Sequence, residues 1–117
     1  MHWTISNGEA AEKAARVGGI SRVEQDAFAV RSHELAVRAW ADGIYAEEIV
    51  QVPGVELARD EGIRDGATVE KLAGLRALFA ENGTVTAGNS SSINDGASAV
   101  LLGADGVLDA EPLARIT

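Results

Sequence analysis

Residues 83–102 read GTVTAGNSSSINDGASAVLL, which is a short β-branched run, a small polar turn and then an apolar stretch. The first part, residues 83–88, has the composition of a β-strand. After the turn, Asn94 can cap an apolar helix that extends to about Leu102. A further strand is predicted at residues 112–117. This order is typical of a strand-helix-strand crossover, which needs a sheet to belong to.

The chain upstream of this stretch is predicted to be mainly helical. A Ser-x-x-Glu capping box that begins at Ser21 predicts a helix over residues 22–42. Residues 9–17 are rich in alanine and charged side chains, and their high helix propensity predicts a short preceding helix. Thr68 caps a third helix, whose apolar stripe continues until Gly83 ends it.

One strand and one loop are predicted between the second and third helices. Residues 48–52 form a β-branched run, and Pro53 and Gly54 close it with a turn. The apolar residues of 55–64 follow neither a helical nor a strand spacing, which indicates an extended loop. Three short strands leave edges and faces uncovered, and the long helix has two apolar faces. We therefore expect the chain to pack against more protein than it contains.

The composition argues against several classes of function. Apolar residues make up 46% and charged residues 24% of the 117 residues, as in an ordinary globular unit. The net charge of −8 disfavours nucleic acid and anionic membranes as partners. The sequence shows no signal peptide and no membrane span, so we predict a cytoplasmic protein. It also has no cysteine, which rules out a disulfide or a cysteine nucleophile within it.

The most favourable stretch for a small anionic ligand is residues 59–76. Its charges balance, with four basic and four acidic groups, whereas the sequence on either side is acidic. The basic residues are Arg59, Arg64, Lys71 and Arg76. They indicate either an anion site or the solvated charges of a helix face.

No catalytic or metal-ligating residue is predicted. The serines at 90–92 lack the Gly-x-Ser-x-Gly elbow, and His33 lies in the middle of a predicted helix. His2 and His33 are too far apart in the sequence to suggest a metal site. The turn from Gly88 to Gly96 precedes a predicted helix whose free amides can cradle a phosphate or an amide. It can equally be a plain strand-to-helix turn.

Residues 83–102 resemble GTVTAGNASGxNDGAAAxLL, a stretch of the thiolase family. Three further blocks follow the thiolase order, namely ISRVEQDAFA at residues 20–29, EEIV at residues 47–50 and DEGIR at residues 60–64. The resemblance implies a thiolase-like α/β fold. Residues 1–82 would belong to the helical loop domain, and residues 83–117 would supply a strand, a helix and a strand of the N-terminal half of a five-layered α/β/α fold.

The resemblance also implies a function and a site. Thiolases transfer acyl groups between acyl-CoA molecules through a cysteine, and their loop domain holds coenzyme A. Arg64 matches the arginine at the nucleotide end, and Ser91 matches the serine that contacts the pantetheine arm. Ala87 matches a small residue beside that arm. Lys71 either adds a phosphate contact or is solvated.

The sequence leaves the enzymatic status open. Because no thiolase catalytic motif is present, the chain alone should be inactive, and the rest of a subunit or a partner chain would supply the chemistry. The predicted substrate is acyl-CoA, with no tightly bound cofactor and no metal, in a homo-oligomer that is a dimer or tetramer. The alternatives are a non-catalytic CoA-binding or interaction module and a truncated remnant.

Overall fold

The computed structural model describes residues 5–104, 106–107 and 113–114. Within them the chain forms helix α1 over Asn7–Gly18, helix α2 over Arg22–Ala41, a 3-10 helix over Ile44–Glu47 and the short helix α3 over Val69–Ala73. The other described residues lie in turns and irregular segments, and none of them is in a strand. In this described part, no helix is long and apolar enough to cross a membrane.

Helix α2 follows the sequence-based prediction closely. The Ser21 N–H donates to the carboxylate of Glu24 at 2.8 Å, and the Glu24 N–H donates to the Ser21 hydroxyl at 3.3 Å. These two bonds form the predicted capping box, which satisfies amides that a helix start leaves free. The helix ends at Ala41, one residue before the predicted end. The local sequence was therefore sufficient to predict the bounds of this helix.

Helix α1 is also confirmed, and its start is better defined than predicted. Ser6 and Glu9 form a second capping box, so the helix begins at Asn7 and not at residue 9. At the other end Gly19 adopts a left-handed conformation with φ 65°. A glycine adopts this conformation without a steric penalty, which makes it a common residue after a helix C-terminus.

Helix α3 begins where it was predicted but is much shorter. The Thr68 hydroxyl accepts a hydrogen bond from the Lys71 N–H at 3.3 Å, as a cap should. The helix nevertheless stops at Ala73, about ten residues before the predicted end at Gly83. Beyond it, the Leu78 N–H donates to the carbonyl of Val85 at 3.0 Å, which takes this backbone out of the helical pattern. Packing against residues 83–89 replaces the last helical turns.

The strand predicted at residues 48–52 is wrong, whereas the turn after it is correct. Residues 49–52 are irregular, and the Val55 N–H donates to the Val52 carbonyl at 3.1 Å across Pro53 and Gly54. Gly54 has φ 83°, which suits such a turn. A strand needs a neighbour for its backbone hydrogen bonds, and the described residues provide none here.

The strand at residues 83–88 and the helix from Asn94 to Leu102 are also wrong. Residues 83–86 are irregular, and the N–H groups of Thr84 and Val85 donate to a side chain instead of a neighbouring strand. Residues 91–102 are irregular and exposed. A helix of about nine residues is marginal in water when nothing covers its apolar face. The strand predicted at residues 112–117 lies outside the described residues, apart from positions 113 and 114.

The buried core is small. Among the described residues, the buried side chains are the apolar Ala15, Leu72 and Val85 and the polar Asp26 and Thr86. The Cα radius of gyration is 19.5 Å, compared with roughly 13 Å for a compact domain of about 100 residues. Large apolar side chains such as those on α2 stay exposed. This pattern agrees with the expectation that the chain packs against additional protein.

Candidate functional site

A cleft of about 300 Å³ lies between α2 and the segment that precedes α3. On the helix side it is lined by His33 and Val37, which are four residues apart and therefore share one face of α2. On the other side it is lined by Arg64 and by residues 65–67. Acidic and basic groups both occur around it, so the cleft is mixed in charge. Arg64, one of the predicted site residues, is part of its lining.

Arg64 is fixed in the cleft through its backbone. Its N–H donates to Nδ1 of His33 at 3.2 Å, across 31 residues of sequence. An accepting Nδ1 carries no proton, so this geometry requires the His33 tautomer with its proton on Nε2. The Arg64 side chain is exposed. The backbone is therefore anchored while the guanidinium stays accessible to a ligand.

Lys71 lies next to the same segment. Its Nζ donates to the carbonyl of Gly66, a cleft residue, at 2.7 Å. Gly66 has φ 69°, a left-handed conformation that a glycine adopts without a steric penalty. An ammonium has three donors, so one bond to Gly66 leaves two for other partners. The structure thus brings Lys71 to the edge of the Arg64 segment.

Ser91 and Ala87 lie on the irregular segment that follows Val85, and both are exposed. This segment passes close to the cleft loop, because a Cβ added to Gly62 would lie 3.6 Å from Oγ of Ser92. Gly62 is two residues before Arg64, and Ser92 is one residue after Ser91. The two blocks that the sequence singled out are therefore neighbours in space.

A polar network that the sequence analysis missed holds this segment against α2. Asp26, which is 1% exposed, pairs with Nε of Arg22 at 2.7 Å through one oxygen. Its other oxygen accepts from Nδ2 of Asn89 at 2.9 Å. A second nitrogen of Arg22 donates to the carbonyl of Leu72. The i, i+4 spacing of Arg22 and Asp26 was visible in the sequence, but the partner Asn89 was not.

Leucine side chains of the α3 region cover the other side of the segment. A Cβ added to Gly88 would lie 2.6 Å from a methyl carbon of Leu75 and 2.9 Å from Cγ of Leu72. Gly88 is itself buried. The segment therefore lies between α2 and the α3 region, and a side chain at this position would require Leu72 and Leu75 to shift.

Glu12 on α1 forms a second anchor for the segment. Its carboxylate accepts from the Thr84 N–H at 2.9 Å, from the Thr84 hydroxyl at 3.1 Å and from the Val85 N–H at 2.8 Å. Desolvation acts to raise the pKa of Glu12, but the hydrogen bonds from Val85 and Thr84 outweigh it. The pKa therefore lies below its ordinary value.

This lowered pKa predicts an acid-sensitive contribution to stability. The unfolded chain takes up a proton on Glu12 near the ordinary value of about 4.3, before the folded chain does. The contribution is thus complete above that pH and is lost as the pH falls through the lower folded-state pKa. We expect Glu12→Gln to flatten the fall in unfolding free energy between neutral and acidic pH, measured by urea titrations. The capping residues Glu9 and Glu24, whose pKa values are also lowered, remain in both proteins. An unchanged slope would contradict the prediction.

A second cleft, of about 270 Å³, lies beyond the C-terminal half of α2. Trp40 and Tyr45 line it, with ring centroids 5.5 Å apart and planes inclined at 52°. The guanidinium of Arg59 lies 5.9 Å from the Trp40 ring centroid, within the range of a cation–π contact. None of the predicted site residues lines this cleft.

Comparison with known proteins defines the class of this chain. Residues 2–105 match the family described as "Thiolase, N-terminal domain", so the chain belongs to the thiolase family. A crystal structure of the Bacillus anthracis acetyl-CoA acetyltransferase is similar, with a TM-score of 0.72 and 41% identity. The similarity covers 80% of this chain and 25% of that one. The predicted thiolase resemblance is confirmed, whereas its strand-helix-strand detail is not.

Curated relatives agree on the family. A "Probable acetyl-CoA acetyltransferase" of Mycolicibacterium smegmatis is 44% identical over 81% of this chain and 26% of its own length. A "Probable acetyl-CoA acyltransferase" of Staphylococcus aureus is 46% identical over 92% of this chain and 30% of its own length. The "3-oxoadipyl-CoA/3-oxo-5,6-dehydrosuberyl-CoA thiolase" of Escherichia coli is 44% identical over 97% of this chain and 31% of its own length. The chain thus spans about a quarter to a third of the relatives it matches.

Proposed function

We propose that this chain contributes the coenzyme A-binding region of a thiolase-type acyl-CoA acyltransferase. The observation that carries the proposal is the placement of Arg64, whose backbone is bonded to His33 in a cleft while its side chain stays exposed. The printed names of the relatives, which are acetyl-CoA acyltransferases and thiolases, support an acyl-CoA substrate.

Arg64 and Lys71 would bind the nucleotide end of coenzyme A. A guanidinium offers several N–H donors in a fixed plane, which suits the phosphate oxygens of this end. The Lys71 ammonium is directed to the Gly66 carbonyl next to Arg64 and has donors to spare. The two cations would together offset the acidic groups around the cleft.

Ser91 and Ala87 would lie along the pantetheine arm. A serine hydroxyl can donate to or accept from the amides of this arm, and a small side chain lets it lie close to the backbone. Both residues are exposed, and the close approach of Ser92 to Gly62 brings their segment to the Arg64 side of the molecule. One ligand could therefore contact both blocks.

The chemical step would use residues from outside these 117. A thiolase acylates a cysteine, and this sequence contains none. We propose that the remainder of a thiolase subunit, or a partner chain, supplies the reacting groups. In this arrangement residues 1–82 would act as the loop domain and residues 83–117 as part of the catalytic half, within a cytoplasmic dimer or tetramer. No metal or tightly bound cofactor is needed.

Binding of coenzyme A to the full chain tests the proposal. We expect Arg64→Ala to weaken binding about tenfold, the equivalent of one charge-assisted contact or about 1.4 kcal/mol, measured by calorimetric titration. Arg31→Ala is the matched control, because Arg31 is exposed on α2 and does not line the cleft. Equal affinities of the Arg64→Ala and Arg31→Ala variants would remove Arg64 from the site. A chain that binds no coenzyme A would contradict the proposal.

A further inference from the structure

Asp26 is a buried carboxylate whose two oxygens are both committed, one to Arg22 and one to Asn89. We infer that Asp26 is a positioning residue: through Asn89 it fixes the segment that carries Ser91, and thereby sets recognition of the pantetheine arm. This inference rests on the proposed function and deepens it. Asp26 does not itself contact the ligand.

Asn89 links Asp26 to the backbone of the segment. The Nδ2 of Asn89 donates to Asp26 and also to the carbonyl of Thr84, both at 2.9 Å. Its Oδ1 accepts from the Thr86 N–H at 2.8 Å. Nδ2 and Oδ1 cannot exchange places without losing these bonds, because Thr86 offers a donor and Asp26 an acceptor. The Asp26 carboxylate thus acts together with the Thr84 carbonyl and the Thr86 N–H to select one orientation of the Asn89 amide.

Bonds of the Asn89 amide and of the Thr86 hydroxyl together hold the backbone path from Thr84 to Asn89. The Thr86 hydroxyl, which is fully buried, accepts from the N–H groups of Gly88 at 3.1 Å and Asn89 at 3.3 Å. These contacts close a tight turn that delivers the chain to Ser90. Ser91 follows two residues after Asn89. A change in the turn would thus move Ser91 directly.

Asp26 connects the turn to two helices, α2 and α3. Asp26 lies on α2, and its partner Arg22 donates to the Leu72 carbonyl at the end of α3. Further along the same segment, Ser92 lies close to Gly62, which is two residues before Arg64. Beyond Asn89 the described side-chain contacts are sparse: the Ser92 hydroxyl donates to Asn94 at 3.0 Å. The position of Ser91 therefore depends on the anchor at Asn89.

The substitution Asp26→Asn changes this anchor with little change in volume. An asparagine has one acceptor oxygen where the aspartate has two, so its NH₂ must face either Arg22 or Asn89, which are both donors here. One of the two bonds must break. Asp42→Asn is the matched control, since Asp42 is an exposed residue at the end of the same helix.

The experiment measures binding of three probes to the full chain, namely coenzyme A, pantetheine and adenosine 3′,5′-bisphosphate. We expect Asp26→Asn to weaken coenzyme A and pantetheine about tenfold, as expected for loss of about 1.4 kcal/mol of contact, and to leave the nucleotide unchanged. Arg64→Ala should weaken coenzyme A and adenosine 3′,5′-bisphosphate and leave pantetheine unchanged. Amide hydrogen exchange should accelerate at Gly88 and Asn89, whose N–H groups donate to the Thr86 hydroxyl, in Asp26→Asn, and stay unchanged on α1.

The outcomes separate this inference from the proposed function. If the unsubstituted chain binds none of the probes, the proposed function fails, and the ligand part of the inference fails with it. If that chain binds but Asp26→Asn weakens all three probes equally, or leaves exchange at Gly88 and Asn89 unchanged, the positioning role is overturned. Should Asp26→Asn fail to fold, Asn89→Ala removes the same link from the other side, and the same selectivity is expected.

Discussion

Replacing Glu12 by alanine is expected to lower the free energy of unfolding of the full chain by roughly 2–3 kcal/mol. The carboxylate accepts two backbone N–H groups and one hydroxyl, from Thr84 and Val85. Hydrogen bonds to a charged group each contribute more than neutral ones, and removal of the acceptor leaves these donors without a partner. Val85 is buried, so water does not readily replace the carboxylate at its amide.

Urea unfolding followed by circular dichroism would measure this change. Glu34→Ala is a suitable control, because Glu34 is an exposed helical glutamate on α2. We expect the control to change the unfolding free energy by less than about 0.5 kcal/mol. Hydrogen exchange at the amides of Thr84 and Val85 should accelerate in Glu12→Ala but not in Glu34→Ala. Equal stabilities of the two variants would show that Glu12 contributes no more than a surface charge.

Replacing Gly88 by valine is expected to destabilise the chain by roughly 3 kcal/mol. The cost is steric, because the first added carbon would already meet Leu75 at 2.6 Å and Leu72 at 2.9 Å. Leu72 is 6% exposed and belongs to the small core, so it has little room to move. The backbone of Gly88 does not have a positive φ, so conformational strain adds little.

Gly96→Val is the matched control, because a Cβ at Gly96 would meet no atom within 4 Å. Gly88→Ala should give an intermediate loss, since it adds one carbon in place of three. The same urea titrations would rank the three variants. If Gly88→Val and Gly96→Val proved equally stable, the packing of the α3 region on this segment would be disproved.

The helices were predictable because their signals are local. The Ser21–Glu24 box acts over three residues and placed the start of α2, while Gly43 placed its end within one residue of the observed bound. The early end of α3 was not predictable in this way. It depends on Arg22, which binds the Leu72 carbonyl from 50 residues away, and on the backbone bond between Leu78 and Val85.

The strands were mispredicted for a related reason. Composition identifies residues that suit a pleated sheet, but a strand exists only where a neighbour accepts and donates its backbone bonds. In the described residues Thr84 and Val85 find the Glu12 carboxylate instead. The apolar run near Leu101 likewise stays exposed without a partner surface.

The candidate site was only partly predictable. The family resemblance identified Arg64, Lys71, Ala87 and Ser91 as site residues, and their roles remain predictions. It did not identify Asp26 or Asn89 as a pair, because they are 63 residues apart in the sequence and no local pattern connects them. The Arg22–Asp26 spacing was the one available signal, but opposite charges four residues apart are common on helix surfaces and do not indicate burial.

The bond between Glu12 and Thr84 has a consequence for how the chain is made, because it joins residues 72 positions apart. At a synthesis rate of about 5–20 residues per second, the ribosome adds Thr84 roughly 4–14 s after Glu12. During that interval α1 lacks this contact, and a helix of 12 residues is marginal alone. Helix α1 is therefore translated several seconds before Thr84 and Val85, so this part of its stabilisation waits until those residues are added.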